Sequence, residues 1–422
     1  MHLPPLDVAV FPIVTMSYGY NGNYNNNNGS SLPPISSIST APSYYAVSSP
    51  SQLQYHNQIS TPTPIYPPDA PEFSSVQELA RRTLRDRRAA LHQVERLSGQ
   101  FHRLYLLNLH DGRRMVLKCL PASTIRLMRH EQHSLETEST VLEFITRNTG
   151  VPVPAPLIYD GSNHPGSSSS SRQHQRGEST SSPSALTRAS GSSSTNPLNA
   201  PFLLRSFLPG TPLSSCAARL LPATRAHIDR TIGLHLSALS NLRARGFGPA
   251  RRVFAGRGAA TWREAFLSLL EAALRDAEDL LVSLPYGSVR EWAQVAARAG
   301  VLDGVREACF VGLDFGCEPN VLVDEASGAV VGMLGAGNAV FGDPLMAAVW
   351  EGAPVDVWRG FGRQEAPVEG GVESVRMYSM YRAVVSVVAH YYRPRAEQAE
   401  LEARRALTGA LNQLASLQHI ST

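Results

Sequence analysis

Two consecutive stretches of the sequence decide the fold: residues 311–324, VGLDFGCEPNVLVD, and residues 328–344, GAVVGMLGAGNAVFGDP. Apolar runs alternate here with short polar or glycine-containing turns, and the passage NVLVDEASGAVVGML at 320–334 predicts a β-hairpin. The pattern around it, from residue 223 to residue 408, is mainly helical. We therefore expect a short hairpin carried by a largely helical region.

Composition and charge narrow the class of protein. The chain has 422 residues, with 38 Lys plus Arg and 35 Asp plus Glu, so its formal net charge is +3. Such a small excess of positive charge argues against a protein that binds nucleic acid mainly through phosphate contacts. No apolar run approaches the ~18 residues needed to span a bilayer. We therefore expect neither a nucleic-acid partner nor a membrane partner.

The cysteines and the N-terminus bear on the cellular compartment. The four cysteines are Cys119, Cys216, Cys309 and Cys317. Their spacing shows neither a disulfide framework nor a zinc site. The apolar residues near the N-terminus lack a preceding basic region and are interrupted by prolines, which predicts no signal peptide. We expect a reduced, cytoplasmic protein.

Two stretches are too poor in core-forming residues to fold by themselves. Residues 1–75 are rich in Ser, Pro, Asn and Tyr, and residues 161–200 contain 14 serines. Neither buries enough apolar surface to offset the entropy of ordering. We predict a disordered leader at 1–75, an N-lobe at 76–208 interrupted by a disordered insertion at 161–200, and a helical C-lobe at 209–422.

The N-lobe sequence combines helical and strand patterns. Apolar residues spaced as in an amphipathic helix occupy 76–97. Asp111-Gly112, between RLYLLNLH and RRMVLKCL, predicts a tight β-hairpin. A helix is predicted over HSLETESTVLEFITRN, followed by the edge strand VPVPAPLIYD and, after the serine-rich insertion, the strand PFLLRSFLPG. The pattern indicates an α+β protein with a small β-rich lobe containing one helix and a larger helical lobe.

Lys118 is the only lysine among the 38 basic residues. Lysine and arginine are not interchangeable where a compact charge must lie among phosphate oxygens. In a kinase-like lobe, a lysine on the third strand contacts the nucleotide phosphates and pairs with a glutamate of the following helix. Glu138 lies in that predicted helix, and Glu136 is the competing choice. The alternative is that Lys118 is an ordinary lysine at the end of a strand.

The chain resembles the aminoglycoside phosphotransferase and choline kinase superfamily, most closely the hygromycin phosphotransferase type. The likeness rests on LDFGCEPNVLVD, NAVFGDP, GFGP with TWREAF downstream, and the proximal VLK and GVPVP segments, in that relative order and spacing. The resemblance implies a protein-kinase-like, two-lobed fold. It also implies ATP and Mg²⁺ as cofactors and a small-molecule substrate with a hydroxyl group, such as a natural product or an antibiotic-like compound.

The resemblance assigns roles in the catalytic-loop-like segment 311–344. It implies that Asp314 accepts a proton from the substrate hydroxyl or orients it, and that Asn320 helps to hold Mg²⁺. Asp343 is implied as a structural residue of the GDP turn.

The resemblance assigns further roles in the N-lobe. It implies that Lys118 and Glu138 form the ion pair that binds the phosphates. Gly99, in LSGQ, is implied to belong to the loop that covers the nucleotide. Residues 204–209 are implied to run along the adenine as the hinge.

Three departures from the family pattern leave a second hypothesis open. The family sequence His-x-Asp is replaced here by Gly312-Leu313-Asp314, and the interval from Asp314 to Asn320 is one residue longer than usual. Gly335 stands where the family has its metal-binding aspartate.

The missing aspartate bears on activity, because phosphoryl transfer depends on cations that neutralise the transferred group. Asn338 and Glu318 are the candidate substitutes, and Mg²⁺ binding is therefore in doubt. The alternative to an enzyme is a catalytically impaired, pseudokinase-type binding or regulatory protein with a protein partner.

Overall fold

The computed structural model describes residues 67–97, 102–162, 196–363, 372–393 and 396–418. Gly99, residues 1–66 of the predicted leader and residues 163–195 of the predicted insertion lie outside these ranges. The helices are α1 (Phe73–Leu84), α2 (Ser134–Asn148), α3 (Leu213–Cys216), α4 (Pro222–Ser240), α5 (Ala250–Phe254), α6 (Trp262–Asp279), α7 (Tyr286–Arg298), α8 (Val355–Phe361), α9 (Val372–Tyr392) and α10 (Glu397–Gln418). The strands are β1 (Leu91–Leu97), β2 (Arg103–Leu109), β3 (Arg114–Cys119), β4 (Pro156–Asp160), β5 (Phe202–Ser206), β6 (Thr211–Pro212), β7 (Arg243–Ala244), β8 (Gly248–Pro249), β9 (Ala308–Gly312), β10 (Val321–Asp324), β11 (Ala329–Met333) and β12 (Ala339–Gly342).

The N-terminal sheet is antiparallel, with the strand order β1-β2-β3-β5-β4. The predicted hairpin joins β2 to β3, and Gly112 in its turn has φ +84°. Glycine adopts this conformation without the steric cost of a Cβ atom. The Asp-Gly signal thus identified both the position and the kind of this connection.

The helix predicted over 76–97 is wrong in its second half. Helix α1 ends at Leu84, where Arg85 takes the left-handed conformation with φ 51° and closes the last turn through its backbone N–H to Arg82. Residues 91–97 form β1 instead. The buried residues Leu91, Val94 and Leu97 are spaced by three for two reasons: the register shifts between Leu91 and Gln93, and Val94 and Leu97 are buried on opposite faces of the sheet. This spacing imitates that of a helix.

The two faces of this sheet have different coverings. The outer face packs against α1 through the buried residues Val76, Leu79, Tyr105, Leu107 and Leu117. The inner face carries an apolar cluster of Leu97, Leu104, Leu106 and Val116, with Phe207 packed against it. Lys118 lies directly opposite Leu104 in the sheet and two residues after Val116, so it shares the inner face. We call the four apolar residues Leu97, Leu104, Leu106 and Val116 the inner-face cluster.

Helix α2 is attached to the C-terminal part of the chain by ion pairs at its beginning. Arg251 Nε lies 2.6 Å from Glu136 Oε2. Just before α2, Arg129 donates its backbone N–H over 3.0 Å and its guanidinium over 2.5 Å to the buried carboxylate of Asp276 on α6. These contacts fix α2, and with it Glu138, against the larger lobe.

The C-terminal lobe combines helices with two small sheets, of strand order β7-β9-β12-β8 and β11-β10-β6. The predicted 320–334 hairpin is present as β10 and β11. Helix α4 packs against α8, and α9 against α10. In α9 the residues Met377, Tyr378, Val384 and Val388 are fully buried. Within the described ranges, no helix is both long and apolar enough to cross a membrane.

Candidate active site

The structure pairs Lys118 of β3 with Glu138 of α2. The Lys118 ammonium donates a hydrogen bond to Glu138 Oε2, and the two side chains are 8% and 1% exposed. Glu136, the competing choice, instead pairs with Arg251 at the surface. The geometry therefore distinguishes between the two glutamates, which the sequence alone could not do.

Arg205 of β5 is a third member of this group, and the sequence analysis missed it. Its Nη1 donates to Glu138 Oε1 over 2.7 Å, and the residue is 3% exposed. Arg205 lies opposite Val116, on the same face of the sheet as Lys118. The available signal was a lone arginine in the otherwise apolar strand FLLRS. We call Lys118, Glu138 and Arg205 the cation triad.

Mutual charge sets the protonation of the cation triad. Burial by itself raises the pKa of Glu138, but the charges of Lys118 and Arg205 outweigh it and hold the pKa below its ordinary value. Burial lowers the pKa of the Lys118 ammonium, and Glu138 opposes that effect. The single carboxylate is therefore ionised and shared by two cations.

Ser134 and His102 lie beside the cation triad. The Ser134 hydroxyl is 3.0 Å from His102 Nε2, at the beginning of α2. Burial, reinforced by the charges of Lys118, Arg393 and Arg205, holds the pKa of His102 well below its ordinary value. The imidazole is consequently neutral at pH 7.

Strand pairing brings Asp314 to the same place. Gly312, the last residue of β9, lies opposite Ala339, the first residue of β12, and the Leu313 N–H donates to the Asn338 carbonyl over 3.0 Å. The loop at 334–338 therefore lies along the segment that carries Asp314. The side chain of Asn338 also forms a hydrogen bond with Asp314.

Asp314 and Asn320 are linked but incompletely satisfied. Asn320 Nδ2 donates to the backbone carbonyl of Asp314 over 3.1 Å. Oδ1 of Asp314 and Oδ1 of Asn320 are both buried, and neither has a hydrogen-bond partner in the described part of the chain. Burial raises the pKa of Asp314 to about 7, against the opposing effects of Asn338 and Lys118. Two buried acceptors without partners indicate a place where a ligand binds.

Gly335 lies between these residues. Its φ is +98°, and a Cβ atom there would lie 3.1 Å from the Asp314 Cβ and 3.4 Å from Asn320 Nδ2. Two residues later, a Cβ on Gly337 would lie 3.5 Å from Glu138 Oε2. One short loop thus joins the cation triad to the Asp314–Asn320 pair. Gly335, which the resemblance aligns with a metal-binding aspartate, lies in the site but carries no carboxylate.

Gly312 has no room for a side chain. A Cβ atom at this position would lie 2.5 Å from Cδ2 of Phe315, which is fully buried and packs near Phe310. Phe315 fills the space beside β9 with an apolar ring. The position where the resemblance would place a histidine is therefore closed to a side chain by Phe315.

The donors present do not fit a resident Mg²⁺ ion. Glu318, one of the two candidate substitutes, pairs with Arg225 over 2.7 Å. Asn338, the other, is engaged with Asp314. Across the described ranges, no group of three or more His, Cys, Asp or Glu side chains could hold a metal ion. Gly335 leaves the Asp314 carboxylate without the second carboxylate that would complete an oxygen-rich site.

Asp343 belongs to the packing between β12 and α9. Its carboxylate accepts hydrogen bonds from the Tyr378 hydroxyl over 2.8 Å and from the Leu345 N–H over 3.0 Å. The Trp262 indole N–H donates in turn to the Tyr378 oxygen over 2.8 Å. Asp343 therefore links the turn after β12 to α9.

A comparison with protein-family models identifies the class of protein to which this chain belongs. Residues 92–350, more than half of the chain, match the model of APH, the phosphotransferase enzyme family. The chain belongs to this family. No curated protein sequence matches it.

Solved structures share the kinase-like fold. A protein from Ralstonia eutropha JMP134, assigned to the aminoglycoside phosphotransferases, has 12% sequence identity and a TM-score of 0.51, with 82% of this chain and 98% of that chain covered. APH(2″)-IIa, in its ternary complex with streptomycin and ATP, has 11% identity and a TM-score of 0.51, with coverages of 81% and 97%. The predicted α+β, kinase-like fold is confirmed.

Proposed function

We propose that this protein is an ATP-dependent phosphotransferase that phosphorylates a hydroxyl group of a small molecule. The observation that carries the proposal is the convergence of Lys118 and Glu138 with Asp314 around the loop at 334–338. Family membership supports the reaction class. The streptomycin and ATP bound to APH(2″)-IIa support ATP as the donor and a small molecule as the acceptor.

The inner face of the N-terminal sheet offers the nucleotide two kinds of surface. The inner-face cluster is apolar and suits the adenine ring. Lys118, on the same face, suits the phosphates. Residues 204–209 would run along the adenine, and Gly99, which lies outside the described residues, would belong to the covering loop.

Asp314 supplies the proton acceptor in this proposal. The substrate oxygen attacks the γ-phosphorus, a new oxygen–phosphorus bond forms, and the bond to the β–γ bridging oxygen breaks so that ADP leaves. The hydroxyl proton passes to Asp314, whose Oδ1 is buried and has no partner among the described residues. A carboxylate with a pKa of about 7 is well matched to proton transfer near neutral pH.

The finer assignments belong to the same proposal. The motifs that resemble the hygromycin phosphotransferase type favour a natural product or an antibiotic-like compound as substrate, and the spacing of the cysteines favours a cytoplasmic location. Residues 76–208 and 209–422 would be the two lobes, and Asn320 would face the phosphates.

A second function is favoured by one specific observation. Gly335 brings no carboxylate to the place where the family holds its metal. A protein with this site could bind nucleotide without transferring phosphate and act as a pseudokinase-type regulator of a protein partner.

Turnover assays on purified full-length protein separate the two functions. ADP release is measured with ATP and a panel of hydroxyl-bearing amino-sugar and macrolide compounds, for the wild type, Asp314→Asn and the exposed control Asp303→Asn. We expect Asp314→Asn to lower turnover ~10²–10⁴-fold, the usual contribution of a positioned base. The wild-type rate should rise with pH through about 7, since Asp314 accepts the proton only when ionised. ATP binding without turnover on any acceptor would favour the regulatory function instead.

A further inference from the structure

We propose that the cation triad is a metal-independent phosphate site, in which Arg205 supplies positive charge that a carboxylate-held cation would otherwise provide. The inference rests on the proposed function, because it takes the ligand to be a nucleoside triphosphate. It goes further in stating which residues neutralise the phosphates and in removing Mg²⁺ from that task.

The charged groups of the site favour an anionic ligand. Lys118 and Arg205 share one carboxylate, that of Glu138, so the cation triad carries one net positive charge when all three groups are ionised. A site with a carboxylate at position 335 and a neutral residue at 205 would be two charge units more negative. That difference equals the charge of one divalent cation. The pair Gly335 and Arg205 therefore makes up for the loss of the metal site.

The Arg205 side chain is buried with part of its hydrogen-bonding capacity unused. Arg205 is 3% exposed, and its Nε has no hydrogen-bond partner in the described part of the chain. A buried guanidinium with an unmet donor and a shared counter-ion costs free energy unless a further acceptor binds. Phosphate oxygens match the fork of an arginine side chain.

The position of Arg205 in the sheet also suits a nucleotide. Arg205 lies within the predicted hinge, residues 204–209, and opposite Val116 of the inner-face cluster. The cation triad and this apolar surface therefore share one face of the sheet. A nucleotide whose adenine contacts the apolar surface would carry its phosphates towards the cations.

The test measures nucleotide binding, which requires no knowledge of the acceptor. ATP and inorganic tripolyphosphate are titrated into the full-length protein in EDTA and in excess Mg²⁺, and binding is followed by calorimetry and by the shift in Tm. We expect the wild type to bind both ligands in EDTA, with ATP affinity that Mg²⁺ does not increase. Binding of ATP only when Mg²⁺ is present would overturn the inference and leave the proposed function standing. No ATP binding in either buffer would overturn both.

Variants of Arg205 assign the effect to this residue. Arg205→Gln should lower ATP and tripolyphosphate affinity in EDTA about tenfold or more, a typical loss for a charge-assisted hydrogen bond. Arg205→Lys, which keeps the charge, should recover part of that affinity. Arg251→Gln is the matched control, because it removes an arginine that pairs with the same helix but does not contact the cation triad. An unchanged affinity in a folded Arg205→Gln protein, or equal losses in the Gln and Lys variants, would refute the assignment.

Discussion

The cation triad and the Asp314–Asn320 pair face one another across a single loop but are built in opposite ways. In the cation triad, both oxygens of the Glu138 carboxylate are occupied by cations held on β3 and β5. In the Asp314–Asn320 pair, two buried oxygens have no partner within the described ranges, and Gly335 stands between the side chains. The first region has an excess of positive charge, and the second lacks the carboxylate that the resemblance would place at position 335.

The difference shows which of the two regions holds its charged groups in a fixed arrangement. Regular strands and a helix fix the cation triad, so its charges are preorganised before a ligand arrives. The acceptors at Asp314 and Asn320 belong to a loop and a short turn after β9. Nucleotide binding should therefore depend mainly on the first region, and proton transfer on the second.

The largest expected effect comes from breaking the cation triad at its centre. Glu138→Gln leaves two buried cations facing a neutral amide, and removing one partner of a buried ionic group typically costs about 3–5 kcal/mol. Glu136→Gln is the control, because Glu136 forms a largely exposed pair with Arg251 and such pairs contribute ~0–1 kcal/mol. Urea denaturation of the two variants measures the contrast. Equal losses of stability would show that the cation triad is not buried in solution.

We expect a smaller effect from His102, beside the cation triad, on how stability depends on pH. Burial and nearby cations hold the pKa of His102 well below its ordinary value, so the unfolded chain binds the proton more readily than the folded one. Stability is therefore lost as pH falls below the unfolded value of about 6.5. We expect the His102→Gln variant to lose less unfolding free energy than the wild type between pH 7 and pH 5.

Ser134→Ala separates titration from packing in that experiment. It removes the hydroxyl that contacts His102 but keeps the imidazole. Its stability should be lower at both pH values, with the wild-type dependence on pH retained. A His102→Gln protein that still loses the same stability on acidification would show that another group accounts for the effect.

Local signals in the sequence were sufficient for much of the fold. The β2–β3 hairpin was predictable because its turn needs a residue with positive φ and the sequence places Gly112 there. The 320–334 hairpin and helix α2 were predictable for similarly local reasons. Strand β1 was not predictable in this way, because a register shift near its start and burial on both faces of the sheet give its buried side chains a three-residue spacing.

The site needed contacts that no local pattern contains. Arg205 and Glu138 are 67 positions apart, with the serine-rich insertion between them in sequence, so the strand pattern alone could not pair them. The fit of Phe315 against Gly312 likewise became visible only in three dimensions. By contrast, Gly335 was singled out from the motifs, and the structure places it beside Asp314.

The finest test alters Gly335, where the two regions meet. Gly335→Asp would place a carboxylate between Asp314 and Asn320, and Gly335→Asn would place an uncharged side chain of the same shape there. Asp and Asn tolerate positive φ better than most residues, so each variant should lose only about 1 kcal/mol of stability, despite the 3.1 Å approach to the Asp314 Cβ.

The two variants should differ in their response to metal. In EDTA, the added negative charge of Gly335→Asp should weaken ATP binding, and Mg²⁺ should restore it about tenfold by bridging the new carboxylate and the phosphates. Gly335→Asn should bind ATP to the same extent with and without Mg²⁺, as we expect of the wild type. If Mg²⁺ changed ATP affinity equally in both variants, the metal would be held by groups other than residue 335. The charge comparison between the two regions would then have to be abandoned.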